Sequence, residues 1–425
     1  MIKILTFFTG LVFGATAGFA QQTPIQEGKE IVVGRSYTIA SKFLGEDREI
    51  MVALPEGYEQ GDENYPVIYL LEGHWFFTYA ANLAERITPH GFIQPSIIVA
   101  TKMANPTRFN WLNPGLEKSD QYMDFLEKEL MPFVADNFRS DDRRILMGWE
   151  YGGAFTLKVL SQRPELFDGY IASSPFPINE HNTNFEALND LATTAPGTEK
   201  YLYFGVSENE RVVNEGVARL KDQLNEKTPK ALLWQTRTFT GGDLVTTHIT
   251  SAYPVFRAGL SGYYADYRPL RPENAEKFHA MGGVDFAKEY YAKRAQKYGL
   301  SPEIDPQAVW WLMRIAMEGD DLVLMEELMV AVDVFTDSLS PYWYAQFSNF
   351  LYEKGRQNIG LKMLKKAVKL YPDSLTAVAN LAKLYVKEGA KSDAVAAYKR
   401  AIKIAEKEEH PRVNDLREML NAIEE

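Results

Sequence analysis

Short apolar runs alternate with helix-like patterns of hydrophobic residues from about Ile31 to Arg268, and helical periodicity alone continues from Ala275. Eight short apolar segments predict strands, at residues 31–40, 48–55, 66–73, 96–102, 143–149, 169–175, 200–206 and 232–239. Several of them are almost continuously apolar, which indicates strands buried on both faces of a sheet. Helix-like patterns separate the later runs, at residues 122–138, 154–167 and 213–227. This alternation predicts an α/β fold, with a mostly parallel sheet between helices.

The pattern changes after Arg268. From Ala275 onward strand signals disappear, and a shift of 34 residues aligns Phe347 with Leu381, Gly355 with Gly389, and Ala367 with Ala401. A 34-residue helix-turn-helix unit with glycine at its inner turn is similar to a tetratricopeptide repeat. Residues 305–338 predict a weaker hairpin before these two, with its turn at residues 319–321. An unrelated helical bundle is the alternative.

The N-terminus has the layout of a secretory signal peptide. Lys3 precedes an apolar stretch from Ile4 to Val12, and small residues lead to a cleavage site after Ala20. A membrane anchor is the alternative, but the apolar stretch is shorter than the roughly 20 residues that a span needs. We therefore expect a periplasmic or secreted protein without a membrane span after cleavage. The predicted segments are a signal peptide (1–20), an α/β domain (21–268), a helical linker (269–304) and a repeat domain (305–425).

Composition narrows the classes of partner. The chain is 46% hydrophobic and 13% aromatic, which is ample for a packed core, and it has no cysteine. Disulfides and thiolate metal sites are therefore excluded. The net charge of −11 argues against nucleic acid or an anionic membrane as the main partner. Because the histidines outside the candidate site have no neighbours at metal-ligand spacing, we expect neither a metal nor a cofactor.

The candidate chemistry centres on residues 145–156, ILMGWEYGGAFT. A short apolar run leads into Gly148-Trp149-Glu150-Tyr151-Gly152, and a helical pattern follows. This is the layout of a nucleophile elbow, G-x-S-x-G between a strand and a helix. The central position has Glu150 in place of serine.

Four further motifs carry a resemblance to a known family. They are residues 41–48 with MVALPEGY, YPVIYLLEG (65–73), Asn105-Pro106-Thr107-Arg108 with Asn113-Pro114, and residues 164–168 with Ala172-Ser173-Ser174-Pro175. In this order they resemble the esterase branch of the α/β-hydrolases that includes enterochelin-esterase-like proteins and S-formylglutathione hydrolase. The resemblance implies an α/β-hydrolase fold and hydrolysis of carboxylic esters.

The resemblance also implies roles for individual residues. His248 matches the catalytic histidine, because Gly259-Leu260 follows it at the family's interval. The carboxylate that orients this histidine would be Glu208, with Glu210 and Asp243 as alternatives. The oxyanion hole would use the backbone N–H of Tyr151 and one near His74 or Trp75. Substrate-binding candidates near the mouth of the cleft are His74 and Trp111, although aromatic residues there can equally be packing residues.

Glu150 leaves the chemistry open. An ionised glutamate has no proton for a histidine to remove, so the acyl-serine route is closed. Glu150 and His248 could form an ion pair or activate a water together. A nucleophile moved to Ser173 or Ser174 is a weaker alternative, and two ligands make a poor metal site. Two functions follow: an exported hydrolase with altered chemistry, or an inactive relative that binds a small ester-like ligand in its cleft and a protein or peptide on its repeats.

Overall fold

The structure is a computed structural model that describes residues 30–103, 107–195, 198–240, 248–331 and 339–425, with the side chains of residues 248–250 excepted. The predicted signal peptide (1–20), Asn105-Pro106 and Asp243 lie outside the described residues. The N-terminal half is one eight-stranded sheet. Its strands are β1 (Arg35–Ser41), β2 (Glu46–Ala53), β3 (Tyr65–Leu70), β4 (Ile97–Thr101), β5 (Ser140–Trp149), β6 (Gly169–Ser173), β7 (Lys200–Ser207) and β8 (Leu232–Phe239).

The strand order across the sheet is β1-β2-β4-β3-β5-β6-β7-β8. β2 pairs antiparallel with β1 and β4, and every other pairing is parallel. β3, β4, β6 and β7 are buried along their whole length, as their continuous apolar sequences predict. All eight predicted strands are therefore confirmed, with ends that shift by a few residues.

Helices cover both faces of this sheet. They are α1 (Gly73–Ile87), α2 (Thr107–Leu112), α3 (Glu117–Phe125), α4 (Met131–Asn137), α5 (Tyr151–Gln162), α6 (Glu186–Thr194), α7 (Arg211–Glu226) and α8 (His248–Tyr263). A π-helical turn at Leu126–Leu130 joins α3 to α4, so the helix expected over 122–138 is continuous but irregular. Two apolar clusters fill the space between the sheet and the helices on its two faces.

The C-terminal half is helical over its described residues. Its helices are α9 (Ala275–Ala280), α10 (Gly283–Tyr298), α11 (Pro306–Glu318), α12 (Leu322–Ala331), α13 (Pro341–Glu353), α14 (Gln357–Leu370), α15 (Leu375–Lys387), α16 (Lys391–Lys407) and α17 (Val413–Glu424). In the part of the chain that the structure describes, no helix is both long and apolar enough to cross a bilayer.

The helical hairpins have the spacing that the sequence predicts. α13 and α15 begin 34 residues apart, and so do α14 and α16. Gly355 and Gly389 occupy the two inner turns with φ of 83° and 70°, a left-handed conformation that favours glycine. α11 and α12 form the weaker preceding hairpin, with residues 319–321 at its turn.

Candidate active site

Glu150 lies at the sharp turn between β5 and α5. Its φ and ψ are 52° and −109°, which is strained for a residue with a side chain. Three backbone hydrogen bonds hold this conformation: the Glu150 N–H donates to the Ser173 carbonyl at 2.9 Å, and the Glu150 carbonyl accepts from Ala154 N at 2.8 Å and Phe176 N at 3.1 Å. The sheet register pairs Trp149 with Ser173, so the turn lies at the carboxyl edge of the parallel strands. This edge is where open α/β sheets bind ligands.

The Glu150 carboxylate forms an ion pair with Arg108. The Arg108 Nη1 donates to Glu150 Oε2 at 2.8 Å, and Nη2 donates to the Trp149 carbonyl at 2.9 Å. The Arg108 side chain is only 2% exposed, whereas that of Glu150 is 24% exposed. The elbow side chain is therefore a partly exposed carboxylate whose inner face is neutralised by a buried guanidinium.

Glu72, which follows β3, is the second carboxylate that contacts Arg108. Its carboxylate is fully buried and accepts three hydrogen bonds: from Arg108 Nε at 3.1 Å, from Gly152 N at 3.0 Å and from Trp149 N at 3.2 Å. Burial raises the pKa of Glu72, while Arg108 and the two backbone donors oppose that rise. Because all three contacts are N–H donors, they match the ionised, acceptor-only form of the carboxylate.

Glycine at position 152 is required by the approach of Glu72. A Cβ atom added there would lie 2.3 Å from Glu72 Oε1, well inside the contact distance. The second glycine of the elbow therefore lets a buried carboxylate contact the first turn of α5. The buried carboxylate also places negative charge at the N-terminus of a helix, where the helix dipole stabilises it.

Aromatic rings enclose the Arg108 guanidinium. Its Cζ atom is 4.6 Å from the ring centre of Trp149, 5.3 Å from that of Trp75 and 5.4 Å from that of Tyr151. These distances suit cation–π contacts, which strengthen when the cation is removed from water. Trp75 thus contributes its ring to the environment of Arg108.

A pocket of about 450 Å³ opens in front of the elbow. Glu150, Ser174, Phe176, Glu210 and Val213 are among the residues that line it. This volume is within the range of small-molecule sites, and the lining combines apolar side chains with two carboxylates. Glu150 therefore faces a pocket that a ligand could enter.

Glu210 is part of a buried hydrogen-bond network beside this pocket. Its Oε2 accepts from the Ser174 hydroxyl at 2.8 Å and from the Ser207 N–H at 2.8 Å. The Ser174 and Ser251 hydroxyls are 2.7 Å apart. Ser251 is in the first turn of α8, three residues after His248, so the network connects the end of β7 to the helix that begins with His248.

The candidate carboxylates occupy different environments. Glu208 is exposed at the end of β7, whereas Glu210 is 8% exposed and lies in the network with Ser174. Glu210 is therefore the buried carboxylate next to the elbow, and the role of Glu208 as the partner of His248 stays a prediction. His248 begins α8 at the interval expected from Gly259-Leu260, and its side chain lies outside the described part. Ser173 and Ser174 are fully buried.

The two backbone N–H groups predicted for the oxyanion hole, those of Tyr151 and Trp75, lie in different helices. Tyr151 is the first residue of α5, and N–H groups in a first helical turn point out of the helix. The Trp75 N–H instead donates to the Glu72 carbonyl at 3.0 Å, in the first turn of α1. The Tyr151 N–H therefore stays a prediction for the oxyanion hole, whereas the Trp75 N–H already has a backbone acceptor.

The two substrate-binding candidates lie at different depths. His74 is half-buried, with its ring 4.0 Å from that of Trp75. Burial lowers the pKa of His74, and the nearby cations Arg108 and Lys102 lower it further, so its neutral form is favoured. Trp111 is 5% exposed and packs in the core, which leaves little of its surface for a ligand.

Sequence reasoning did not assign Arg108 and Glu72 to the site. Both lie in motifs that resemble the family's, but Arg108 is 42 positions from Glu150 and 36 from Glu72, and contacts over such separations leave no local pattern. The available signal was the presence of a charged residue directly after a buried strand, as at Glu72 in YPVIYLLEG. Among the described residues, no group of three or more His, Asp or Glu side chains is placed to hold a metal ion.

Comparisons with known proteins agree with this architecture. The model of the family described as "Putative esterase" matches residues 41–263. A siderophore triacetylfusarinine C esterase of Aspergillus fumigatus is 34% identical over 31% of this chain and 52% of its own. The ferri-bacillibactin esterase BesA of Bacillus subtilis is 26% identical over 26% of this chain and 47% of its own. The chain thus spans about half the length of these curated relatives.

Two solved structures share the fold. An IroE-like serine hydrolase from Shewanella oneidensis aligns with a TM-score of 0.53 at 20% identity, over 71% of this chain and all of its own. An uncharacterised protein from Capnocytophaga ochracea aligns with a TM-score of 0.55 at 13% identity, over 92% of this chain and 99% of its own. The family match covers more than half of the chain, and the strand order and the elbow agree with it. This chain therefore belongs to the Putative esterase family of α/β-hydrolases.

Proposed function

We propose that this protein binds a small ester-like ligand in the pocket at Glu150 and does not form an acyl-serine intermediate. The observation that carries the proposal is the ion pair between Glu150 and Arg108, at 2.8 Å, on the turn where the resembled family has its nucleophile. The fold is that of an esterase family, and the residue at the nucleophile position is a carboxylate paired with a buried cation.

The pairing with Arg108 argues against Glu150 as a nucleophile. A carboxylate that attacked an ester would form a mixed anhydride and would have to expel an alkoxide, which is a poor leaving group. Donation from Arg108 draws electron density from the attacking oxygen and fixes its direction. Glutamate also places that oxygen farther from the backbone than serine does, and near-attack geometry tolerates little displacement.

The class of ligand follows from the pocket and from the relatives. Phe176 and Val213 offer apolar contact, and the Ser174 network supplies polar groups beside it. The relatives' names describe esterases of siderophores, so an ester of that size and polarity is the ligand class we propose for this chain.

We also propose a location for the protein, a partner for its helical half and a domain division. The predicted signal peptide supports a periplasmic or secreted protein. The 34-residue hairpins support a tetratricopeptide-like repeat domain over 305–425, which would bind a protein or peptide partner. The proposed domain division is the predicted one, with the α/β domain ending at residue 268.

A second function is supported by the exposure of Glu150. Its side chain is 24% exposed and lines an open pocket, so a water between Glu150 and a bound ester could be activated by the carboxylate. Such general-base hydrolysis would need neither serine nor an acyl-enzyme. It would need Glu150 to keep its negative charge while paired with Arg108.

Hydrolysis of a panel of short-chain and aromatic acyl esters separates the two functions. The proteins to compare are the wild type, Glu150→Ser, Glu150→Gln, His248→Ala, and the double variant Glu150→Ser/His248→Ala. Glu186→Ser, an exposed glutamate in α6, is the matched control. We expect no turnover by the wild type, turnover by Glu150→Ser, and loss of that turnover in the double variant.

Two other outcomes would contradict the proposal. Wild-type turnover that is lost in both Glu150→Gln and His248→Ala would establish carboxylate-based hydrolysis and refute the binding-only proposal. Silence of every variant would contradict the view that one side chain separates this pocket from an esterase.

A further inference from the structure

Arg294 differs from the other buried cations of this protein. Five lysine and arginine side chains are buried in the described residues: Arg48, Arg108, Lys158, Lys200 and Arg294. The first four each have a carboxylate within 4.0 Å, from Glu46, Glu72, Asp120 and Asp168 respectively. Arg294, on α10, is 6% exposed and has no such partner anywhere in the described ranges.

The contacts of Arg294 leave part of its guanidinium unsatisfied. Nη2 donates to the Tyr267 carbonyl, and Cζ lies 4.9 Å from the ring centre of Tyr291. Nε is buried and has no acceptor among the residues described. An uncompensated buried charge costs several kcal/mol, so proteins normally pair such a group or use it to bind a ligand.

Arg294 lines two adjoining pockets at the junction of the sheet and the helical half. Their volumes are about 600 Å³ and 660 Å³, and they share Tyr267, Arg294 and Asp305. The smaller one is also lined by His90 and Phe92 from the loop after α1, and by Gln307 from α11. Both volumes are typical of small-molecule sites.

Two more arginines line the smaller pocket. Arg268 and Arg271 are exposed, and neither has a carboxylate within 4.0 Å in the part of the chain that is described. Arg268 lies 3.6 Å from the ring centre of Phe92, and Arg271 contacts Gln307 at 3.4 Å. Arg143 lies at the same junction but has a carboxylate partner: it forms an ion pair with Asp141 and also donates to Gln94.

Negative charge in the smaller pocket comes from Asp305. Its carboxylate accepts from the Gln307 N–H at 2.8 Å and caps α11. The larger pocket adds Glu303 and Lys288, which are opposite in charge. Three arginines against one capping carboxylate make the smaller pocket locally positive, although the whole chain has a net charge of −11.

We infer that this junction pocket binds an oxyanion, a carboxylate or phosphate group of a small molecule, with Arg294 as its buried anchor and Arg268 and Arg271 at its rim. Guanidinium groups bind such oxyanions in a bidentate manner. Because the lining comes from both halves of the chain, the bound anion would contact both. The site is separate from the elbow pocket and independent of the function proposed for it.

Calorimetric titration of the full chain tests this site, with inorganic phosphate in one series and succinate in the other, at low ionic strength. The variants are Arg268→Gln/Arg271→Gln, whose side chains are exposed and so can change without loss of the fold, and Arg219→Gln. Arg219 is exposed on α7, away from the junction, and is the matched control.

We expect saturable binding of at least one probe, with a dissociation constant of about 1 mM or tighter. The double variant should bind at least about tenfold more weakly, because it removes two charged donors from the rim of the pocket. The two series distinguish a phosphate ligand from a carboxylate one. Absence of saturable binding in both series, or equal binding by the double variant and Arg219→Gln, would overturn the inference.

Discussion

Among single residues, Glu72 links Arg108 to the backbone on both sides of Glu150. It follows β3, contacts Arg108 and bonds to the backbone N–H groups of Trp149 and Gly152, on either side of Glu150. The conformation of Glu150 is strained, and such strain persists where surrounding contacts fix it. The buried Glu72 carboxylate supplies two of these contacts.

Glu72→Gln should therefore be strongly destabilising. The amide keeps the shape of the side chain, but it removes the charge that compensates Arg108 and presents an N–H₂ group to N–H donors. Breaking a buried ion pair costs about 3–5 kcal/mol. Urea unfolding followed by circular dichroism should show this loss, whereas Glu85→Gln, an exposed glutamate in α1, should unfold like the wild type. A loss of less than about 1 kcal/mol in Glu72→Gln would contradict this role.

The same residues show what the sequence could predict about the site. Glu150 was identified because an elbow has a local signature of a strand, glycines at fixed spacing and a helix. The ion pair between Glu150 and Arg108 was not predicted, since these two residues meet only after β3, β5 and α2 have packed. Likewise, Glu208 and Glu210 are two positions apart in sequence, and only the direction of the chain after β7 makes one exposed and the other buried.

At the scale of elements, periodicity predicted most of the fold. The eight strands were evident because buried parallel strands are apolar throughout. α1 was not predicted, since the start of GHWFFTYAANLAERI was assigned to the oxyanion hole and the mouth of the cleft through His74 and Trp75. The π-helical turn after α3 was also missed, because one extra residue in a helical turn leaves the apolar pattern nearly unchanged.

The repeated hairpins provide a matched test of helix capping. Ser340 and Ser374 are the N-cap residues of α13 and α15, 34 positions apart. The Ser374 side chain accepts from the Ala377 N–H at 3.3 Å, whereas Ser340 makes no such cap. Ser374→Ala should cost about 1 kcal/mol of unfolding free energy, and Ser340→Ala clearly less. Equal losses in urea unfolding would show that the cap does not stabilise α15.

At the scale of the whole molecule, α10 joins the two halves. Its Tyr291 and Ala287 pack in the helical cluster, whereas Tyr298 packs against the tyrosines of the sheet-side cluster. The Tyr298 hydroxyl donates to the Tyr263 carbonyl at 2.8 Å and also contacts Asp266. The segment 269–304, predicted as a helical linker, contains a helix that packs against both halves.

Tyr298→Ala should destabilise the protein and uncouple its halves. Removing a fully buried aromatic side chain costs about 3–5 kcal/mol, and here the cavity would lie at the junction. We expect one calorimetric unfolding transition in the wild type and two in the variant. Tyr342→Ala, at a tyrosine that is 54% exposed in α13, is the control and should melt like the wild type. A single wild-type-like transition in Tyr298→Ala would show that α10 does not couple the halves.

We propose that this protein keeps the elbow, pocket and backbone donors of an esterase and that Glu150 replaces the reacting hydroxyl. Intact-mass analysis after incubation with a fluorophosphonate, which forms stable adducts with activated serines, tests this proposal. We expect no adduct on the wild type and one adduct on Glu150→Ser, located in the peptide that spans β5 and α5. A stable adduct on the wild type at Ser173 or Ser174, or an unreactive Glu150→Ser, would contradict the claim.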